Sequence, residues 1–233
     1  MFYYMLVPFQ NPDIYINTLR VQEPVTVATD IMVAIVCLIV YVKTKGLSKQ
    51  HFSKLYRYFF LVTALSTLVS AVIGHAFLYQ FGFNAKIWGW MLGIVSITFA
   101  QFASLYHVKP ALSLKAFNRG WWFNFIETVI AYLLLFFFFS FTVVEVYSAI
   151  GLLLIVVPLE WMYYKKTNSV LSKYMIIGIG IAVLSIICHV LKLAYSVWFN
   201  HMDLAHIIMA LSVCIMGIGV KRELKINSIC NQS

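Results

Sequence analysis

Seven apolar stretches fill this chain almost from end to end, and each is about long enough to cross a lipid bilayer. They run over residues 25–43, 57–80, 87–107, 121–142, 144–163, 174–198 and 203–220. Because a helix rises about 1.5 Å per residue, about 20 residues span a hydrocarbon core of about 30 Å. The pattern therefore predicts an all-α polytopic membrane protein, with residues 1–233 forming one bundle of seven transmembrane helices.

The basic residues are confined almost entirely to alternate connections between the apolar stretches. Of the 17 Lys and Arg residues, only Arg20, Lys86 and Lys192 lie away from the connections that follow the first, third, fifth and seventh stretches. Cytoplasmic loops of membrane proteins carry such an excess of positive charge. The distribution therefore predicts an N-terminus outside the membrane and a C-terminus in the cytoplasm.

Composition excludes the two classes of protein that a basic chain most often suggests. With 62% hydrophobic and 11% charged residues, the chain has too little polar surface for a soluble domain. Its net charge of +9 is explained by cytoplasmic loops beside anionic lipid. We therefore expect membrane lipid as a partner and no nucleic acid.

Ionisable residues within the stretches are the best pointers to a site, because exposure to hydrocarbon is costly and such groups face the bundle interior and pair. Counting residues from the ends of the stretches places a set of them near the outer face, and four stretches contribute to it. The set consists of Asp30, His75, His189, Lys192, Asp203 and His206.

Helical spacing places several of these residues on common faces. Residues three or four apart lie on one face of a helix, and this spacing is followed by Ser185, His189, Lys192 and Ser196, and again by Glu23, Thr26 and Asp30. We therefore expect a polar, water-accessible cavity that opens outward between the first, second, sixth and seventh stretches.

Three imidazoles near one membrane face predict a divalent metal site, most naturally zinc with one position left open for water. The predicted ligands are His75, His189 and His206. Zinc lowers the pKa of its bound water to about 7 and so supplies a hydroxide nucleophile. The pattern therefore favours a zinc-dependent hydrolase of a lipid amide or ester, with its site near the outer leaflet.

Three charged residues are predicted to act as catalytic groups beside that metal. Asp30 or Asp203 orients a ligand or serves as general base. Lys192 stabilises a developing oxyanion or binds a lipid phosphate. The same residues also fit a purely structural network, in which Lys192 pairs with Asp30 or Asp203 through histidines and water.

Other functions stay open on the sequence. His75 and His189 are a candidate pair of haem ligands. The alternative to an enzyme is a seven-helix protein that binds or senses a ligand, or a subunit of a membrane complex. A retinal protein is excluded, because residues 203–220 contain no lysine for a Schiff base and residues 87–107 contain no acid for its counter-ion.

Three further ionisable residues, His107, Glu127 and Glu160, lie away from the predicted outer cluster. We expect structural roles for them. His107 and Glu160 can reach head groups or loop cations, and Glu127 can bond to a neighbouring helix or extend its side chain toward Arg119.

The topology, with His75 at the end of the second stretch and His206 at the start of the seventh, resembles the superfamily of alkaline ceramidases and progestin/adiponectin receptors. That resemblance implies a zinc hydrolase in which Ser-x3-His in the second helix, an Asp near the second and third, and His-x3-His in the seventh hold the metal. His75 and His206 match this pattern. Ser70 and His201 each lie five residues before these histidines rather than four.

Three short stretches resemble an uncharacterised bacterial family of seven-span membrane proteins more closely. They are residues 23–30 (EPVTVATD), 74–77 (GHAF) and 200–206 (NHMDLAH). This resemblance implies a location in the bacterial cytoplasmic membrane and only a distant relation to the hydrolase superfamily.

Overall fold

The computed structural model describes residues 12–47 and 50–230, with the backbone alone for residues 227–230. In this part of the chain seven helices are long and apolar enough to cross a membrane, which confirms the predicted seven-helix class. Spans one to seven are Pro24–Lys43, His51–Ala76, Phe83–Ala111, Leu114–Phe138, Phe141–Thr167, Val170–Val190 and His201–Ile226, the last helix continuing to Cys230. The chain is therefore an integral membrane protein by the length and composition of its helices.

The helix ends differ from the apolar stretches in two places that matter for the site. Span two begins at His51, six residues before the predicted start at residue 57, so that Lys54 lies within its first turn. Span six ends at Val190 instead of residue 198. The chain then turns at Lys192, whose φ of 50° is left-handed, and residues 193–200 have no helical structure.

The spans form a main group and a smaller peripheral one. Spans one, two, three, six and seven, with part of span five, enclose the larger apolar core, in which Val33, Phe60 and Met175 are fully buried. Trp90, Leu135 and Tyr147 belong to a second core, where spans three, four and five meet. Span four therefore lies at the edge of the bundle.

Spans six and seven approach each other closely, and span seven also packs against span one. A Cβ atom on Gly178 would lie 2.5 Å from Cγ of Met216, and one on Gly217 would lie 2.5 Å from Cγ2 of Val40. Larger side chains at these positions would force the helices apart. Small residues at helix contacts are the usual means by which membrane helices pack.

A short β-hairpin precedes span one and is an addition to the predicted all-α fold. Strands β1 (Asp13–Ile16) and β2 (Leu19–Gln22) pair antiparallel and turn at Asn17, whose φ is 56°. The Gln22 side chain accepts a hydrogen bond of 2.9 Å from the backbone nitrogen of Tyr79. The hairpin is thereby tied to the connection after span two, and we call this end of the bundle the hairpin end.

Two spans contain a π-helical segment, Ser70–Ala76 in span two and Ile150–Val156 in span five. A π segment replaces i→i+4 hydrogen bonds by i→i+5 bonds, which redirects the side chains around it and is frequent at functional sites. The first segment contains His75 and lies at the hairpin end.

Candidate functional site

The hairpin end brings three of the six predicted site residues together around one carboxylate. Asp30 of span one is 2% exposed and lies between His75 of span two and His206 of span seven. Nε2 of His206 is 3.4 Å from Oδ1 of Asp30, and Nε2 of His75 is 3.8 Å from Oδ2. The two histidines thus face opposite oxygens of the same buried acid.

His75 is held from its other side by Glu23. Its Nδ1 is 2.5 Å from Oε2 of Glu23, the last residue before span one. Glu23 has a left-handed φ of 47°, and its backbone nitrogen donates to the carbonyl of Pro12. Because non-glycine residues adopt this conformation only where their surroundings impose it, the hairpin helps to aim the Glu23 carboxylate at His75.

His206 is held from its other side by span one. Its Nδ1 is 3.1 Å from Oγ1 of Thr29, and the same hydroxyl is 3.0 Å from the carbonyl oxygen of Thr26. The result is a continuous polar row from Glu23 through His75, Asp30 and His206 to Thr29. We call these five residues the hairpin-end cluster.

Lys86, at the beginning of span three, is the cation of this region. Its Cγ is 3.8 Å from the position that a Cβ atom on Gly74 would occupy, so its stem crosses the turn that carries His75. It interacts electrostatically with Glu23 and Asp30. The sequence pattern had predicted this charge at Lys192 instead.

Asp203 has a structural role at the start of span seven. It is fully buried, and its two oxygens accept bonds of 2.6 Å from the backbone nitrogen of Asn200 and 2.7 Å from Oγ1 of Thr26. The side chain of Asn200 accepts in turn from the backbone nitrogen of Met202. This reciprocal pattern is a capping box, which satisfies donors at a helix N-terminus, and it ties the helix to span one.

His189 does not join His75 and His206 at Asp30. Its Nε2 is 3.2 Å from Oε1 of Glu145 on span five, and its ring centroid is 5.2 Å from that of His201. Within residues 12–47 and 50–230, no three His, Cys, Asp or Glu residues are grouped so that they could hold a metal ion. The side chains as arranged do not form the predicted three-histidine site, and zinc stays a prediction.

The expected stripe of Ser185, His189, Lys192 and Ser196 is wrong, because the helix ends before its last two members. Lys192 is exposed, and Oγ of Ser196 accepts a bond from the backbone nitrogen of Phe199 within the connection to span seven. The predicted burial of Lys192 against Asp30 or Asp203 is therefore not found.

The ionisable residues outside the hairpin-end cluster make specific bonds. Glu160 is fully buried and accepts from Tyr56 (2.9 Å), Ser172 (2.6 Å) and Nδ1 of His107 (3.0 Å). Glu127 accepts from the side-chain nitrogen of Gln101 at 2.5 Å. These contacts agree with structural roles, although neighbouring helices provide the partners of Glu160 in place of head groups.

Three members of this region, Thr29, Lys86 and Glu145, were not predicted from the sequence. Thr29 directly precedes Asp30, and adjacent residues of a helix do not lie on the same face, so helical spacing did not group the two. Lys86 was visible as a single basic residue in an otherwise uncharged connection, and Glu145 as an acid near the start of span five. The basic residue outside the charge pattern and the acid within an apolar stretch were both available indications.

Comparison with known proteins identifies a family without a known activity. A model of a family of unknown function (DUF6962) matches residues 25–225, a region that takes in nearly all of the seven spans. No curated protein and no solved structure matches the chain. These findings provide no link to the ceramidase and receptor superfamily.

Proposed function

The chain belongs to the family of unknown function DUF6962, so its function has to be argued from its own residues, and we propose that it binds a ligand through the hairpin-end cluster. One observation carries the proposal. Oδ2 of Asp30 is buried and has no hydrogen-bond partner within the described part of the chain, although two imidazoles lie beside the carboxylate. Buried acceptors are normally satisfied, and a bound ligand would satisfy this one.

Exposure separates this cluster from the other buried acid of the bundle. The side chains of His75 and His206 are 12% and 17% exposed, whereas Asp30 behind them is 3% exposed. The Glu160 and His107 side chains are 0% and 3% exposed. The hairpin-end cluster is thus a buried acid whose histidine neighbours are partly exposed, as access for a ligand requires, whereas the Glu160 cluster is closed.

A stability assay with a small set of chemically distinct probes tests this proposal. We expect the thermal unfolding midpoint of purified protein to rise with at least one probe among Zn²⁺, a primary amine, a quaternary amine and phosphate. Asp30→Asn should abolish that rise, because it removes the carboxylate at the centre of the cluster. Glu127→Gln, the same change of group on span four, should retain it. A response common to both variants would contradict a site at Asp30.

We also infer that the hairpin end faces the outside of a bacterial cytoplasmic membrane. The support is the arrangement of charge, since the clusters of Lys and Arg lie at the ends of spans one, three, five and seven and in the connections after them, at the opposite end of the bundle. By the positive-inside rule that opposite end is cytoplasmic.

Cysteine labelling tests the orientation. A cysteine introduced at Asn84, in the first turn of span three, should react with a membrane-impermeant thiol reagent in intact cells. A cysteine at Lys45, in the connection after span one, should react only after permeabilisation. The opposite pattern would reverse the orientation and place the cluster on the cytoplasmic side.

A metal-dependent hydrolase of a lipid amide or ester is the second candidate function, and the contact between Glu23 and His75 favours it. A carboxylate on one imidazole nitrogen fixes the tautomer and leaves the other nitrogen as a base, as in catalytic triads. His75 would then activate water beside Asp30. Metal content before and after chelation, and hydrolysis of lipid amides and esters by the parent and by His75→Gln, test this candidate. Absence of turnover by metal-loaded protein would contradict it.

A further inference from the structure

The proton on His75 can be located from its contact with Glu23. Nδ1 of His75 is 2.5 Å from a carboxylate oxygen of Glu23, which accepts hydrogen bonds when ionised. In the neutral ring, Nδ1 is therefore the protonated nitrogen. Nε2 is left with a lone pair, and this nitrogen is the one that faces Oδ2 of Asp30 at 3.8 Å.

The proton on His206 follows from the single hydroxyl proton of Thr29. The carbonyl oxygen of Thr26 can only accept, and Oγ1 of Thr29 donates to it at 3.0 Å. Thr29 must then accept from Nδ1 of His206 at 3.1 Å. Nε2 of His206 is therefore also unprotonated, and it faces Oδ1 of Asp30 at 3.4 Å.

The centre of the cluster thus consists of acceptors facing acceptors. Nε2 of His75 and Nε2 of His206 face the buried Asp30 carboxylate, and no donor among the described residues bonds to Oδ2 of Asp30. The distances of 3.4 Å and 3.8 Å exceed those of good direct hydrogen bonds. Buried acceptors in this arrangement are unfavourable unless they bind a positively charged group with several N–H or O–H donors.

The other charged groups near Asp30 do not meet this need. Lys86 attracts Glu23 and Asp30, but among the described residues it forms no ion pair with Asp30 within 4.0 Å. Glu145 is paired with His189. Three further groups lie on neighbouring elements, namely Asp203 within its capping box, His201 beside His189, and the exposed Lys192.

We propose that the acceptors around Asp30 bind a protonated primary ammonium group, and this assignment rests on the proposed ligand-binding function. A primary ammonium has one positive charge and three N–H donors, which match the Asp30 carboxylate and the two imidazole nitrogens. A quaternary ammonium has the charge but no donors. Phosphate would place an anion against Asp30 and Glu23. The amine can come from a free small molecule or from an ethanolamine head group of a lipid.

Substitution of Lys86 provides an independent test of ammonium binding at this site. Its ammonium repels a second ammonium, but its side chain is not one of the three acceptors. Lys86→Met should therefore raise the affinity for a primary amine, while Asp30→Asn should lower it by about tenfold or more, the loss expected for one charge-assisted hydrogen bond. Opposite effects of two neighbouring substitutions cannot arise from general destabilisation.

The experiment compares two cations of equal charge. Ethylamine and tetramethylammonium are titrated at pH 7.5 into purified full-length protein in phosphatidylcholine nanodiscs, and the thermal unfolding midpoint is followed for the parent, Asp30→Asn, Lys86→Met and Glu127→Gln. We expect ethylamine alone to stabilise the parent, and Glu127→Gln to match the parent. Nanodiscs of phosphatidylethanolamine separate the sources, because a bound head group would stabilise the parent before any titration and weaken its response to ethylamine.

Several outcomes would overturn the assignment. They are equal responses to ethylamine and tetramethylammonium, no response to either, or an ethylamine response that Lys86→Met leaves unchanged or weakens. If Asp30→Asn fails to fold, the comparison of the two amines on the parent and on Lys86→Met still decides whether the site binds a primary ammonium. A rise with Zn²⁺ but not with ethylamine would end the ammonium assignment and leave the proposed ligand site standing.

Discussion

Replacing Glu160 by leucine is expected to lower the free energy of unfolding by about 3–5 kcal/mol, because removal of one partner leaves the other members of a buried ionic network without a counter-charge. Glu160 is fully buried and receives donors from span two (Tyr56), span three (His107) and span six (Ser172). Leucine satisfies none of these donors. Denaturant or thermal unfolding of the purified protein in detergent measures the loss.

Two companion variants show whether the network or the packing is responsible. Glu127→Leu makes the same substitution on span four, where the acid is only partly buried and bonds to Gln101 alone, and should cost less. Adding His107→Leu to Glu160→Leu removes the stranded imidazole and should recover part of the loss. If Glu160→Leu is no less stable than Glu127→Leu, the network does not hold the spans together.

The seven-span architecture was predictable because bilayer thickness imposes a length that apolar stretches reveal directly. The ends of the spans were not, since helices continue past the apolar stretch wherever long basic side chains can reach the interface. Lys54 lies in the part of span two that precedes the predicted stretch. The predicted end of span six is wrong in the opposite direction, because the helix ends at Val190 although residues 191–198 remain largely apolar.

That early end explains why Lys192 is absent from the hairpin-end cluster. Asp30, His75 and His206 meet because they lie at similar depth on spans one, two and seven. His189 is within two residues of the end of span six, and its partner became Glu145 on span five. Nothing in the residues near Lys192, neither glycine nor proline, indicates the left-handed turn.

Counting residues around a helix also fails where the helix is not α. In a regular α-helix, His75 would lie about 140° around the axis from Ser70. The π segment Ser70–Ala76 instead places a residue and its fifth successor one turn apart. A Cβ on Gly89 would lie 2.5 Å from Oγ of Ser70, so this hydroxyl packs against span three and takes no part in the cluster.

The second strand of the hairpin before span one was present in the sequence as an alternating pattern. Residues 19–22 (LRVQ) alternate apolar and polar side chains, and they follow Asn17, a residue that tolerates a left-handed turn. Its importance comes only from tertiary structure, because the hairpin ends at Glu23 and that carboxylate fixes His75. The sequence contains the hairpin but not the contact.

Asp203→Ala is expected to lower the free energy of unfolding by about 2–4 kcal/mol, since it removes a helix cap and leaves buried donors unsatisfied. These donors are the backbone nitrogen of Asn200 and the hydroxyl of Thr26, and the second of them joins span seven to span one. Asp203→Asn keeps one acceptor and should lose less, and the exposed Lys192→Met should change stability by no more than about 0.5 kcal/mol. Thermal unfolding of the three variants measures these differences. The ethylamine response of Asp203→Asn decides the role of the residue: a response equal to that of the parent means that Asp203 holds span seven in place, and a response lost as completely as in Asp30→Asn would make it a ligand-binding acid.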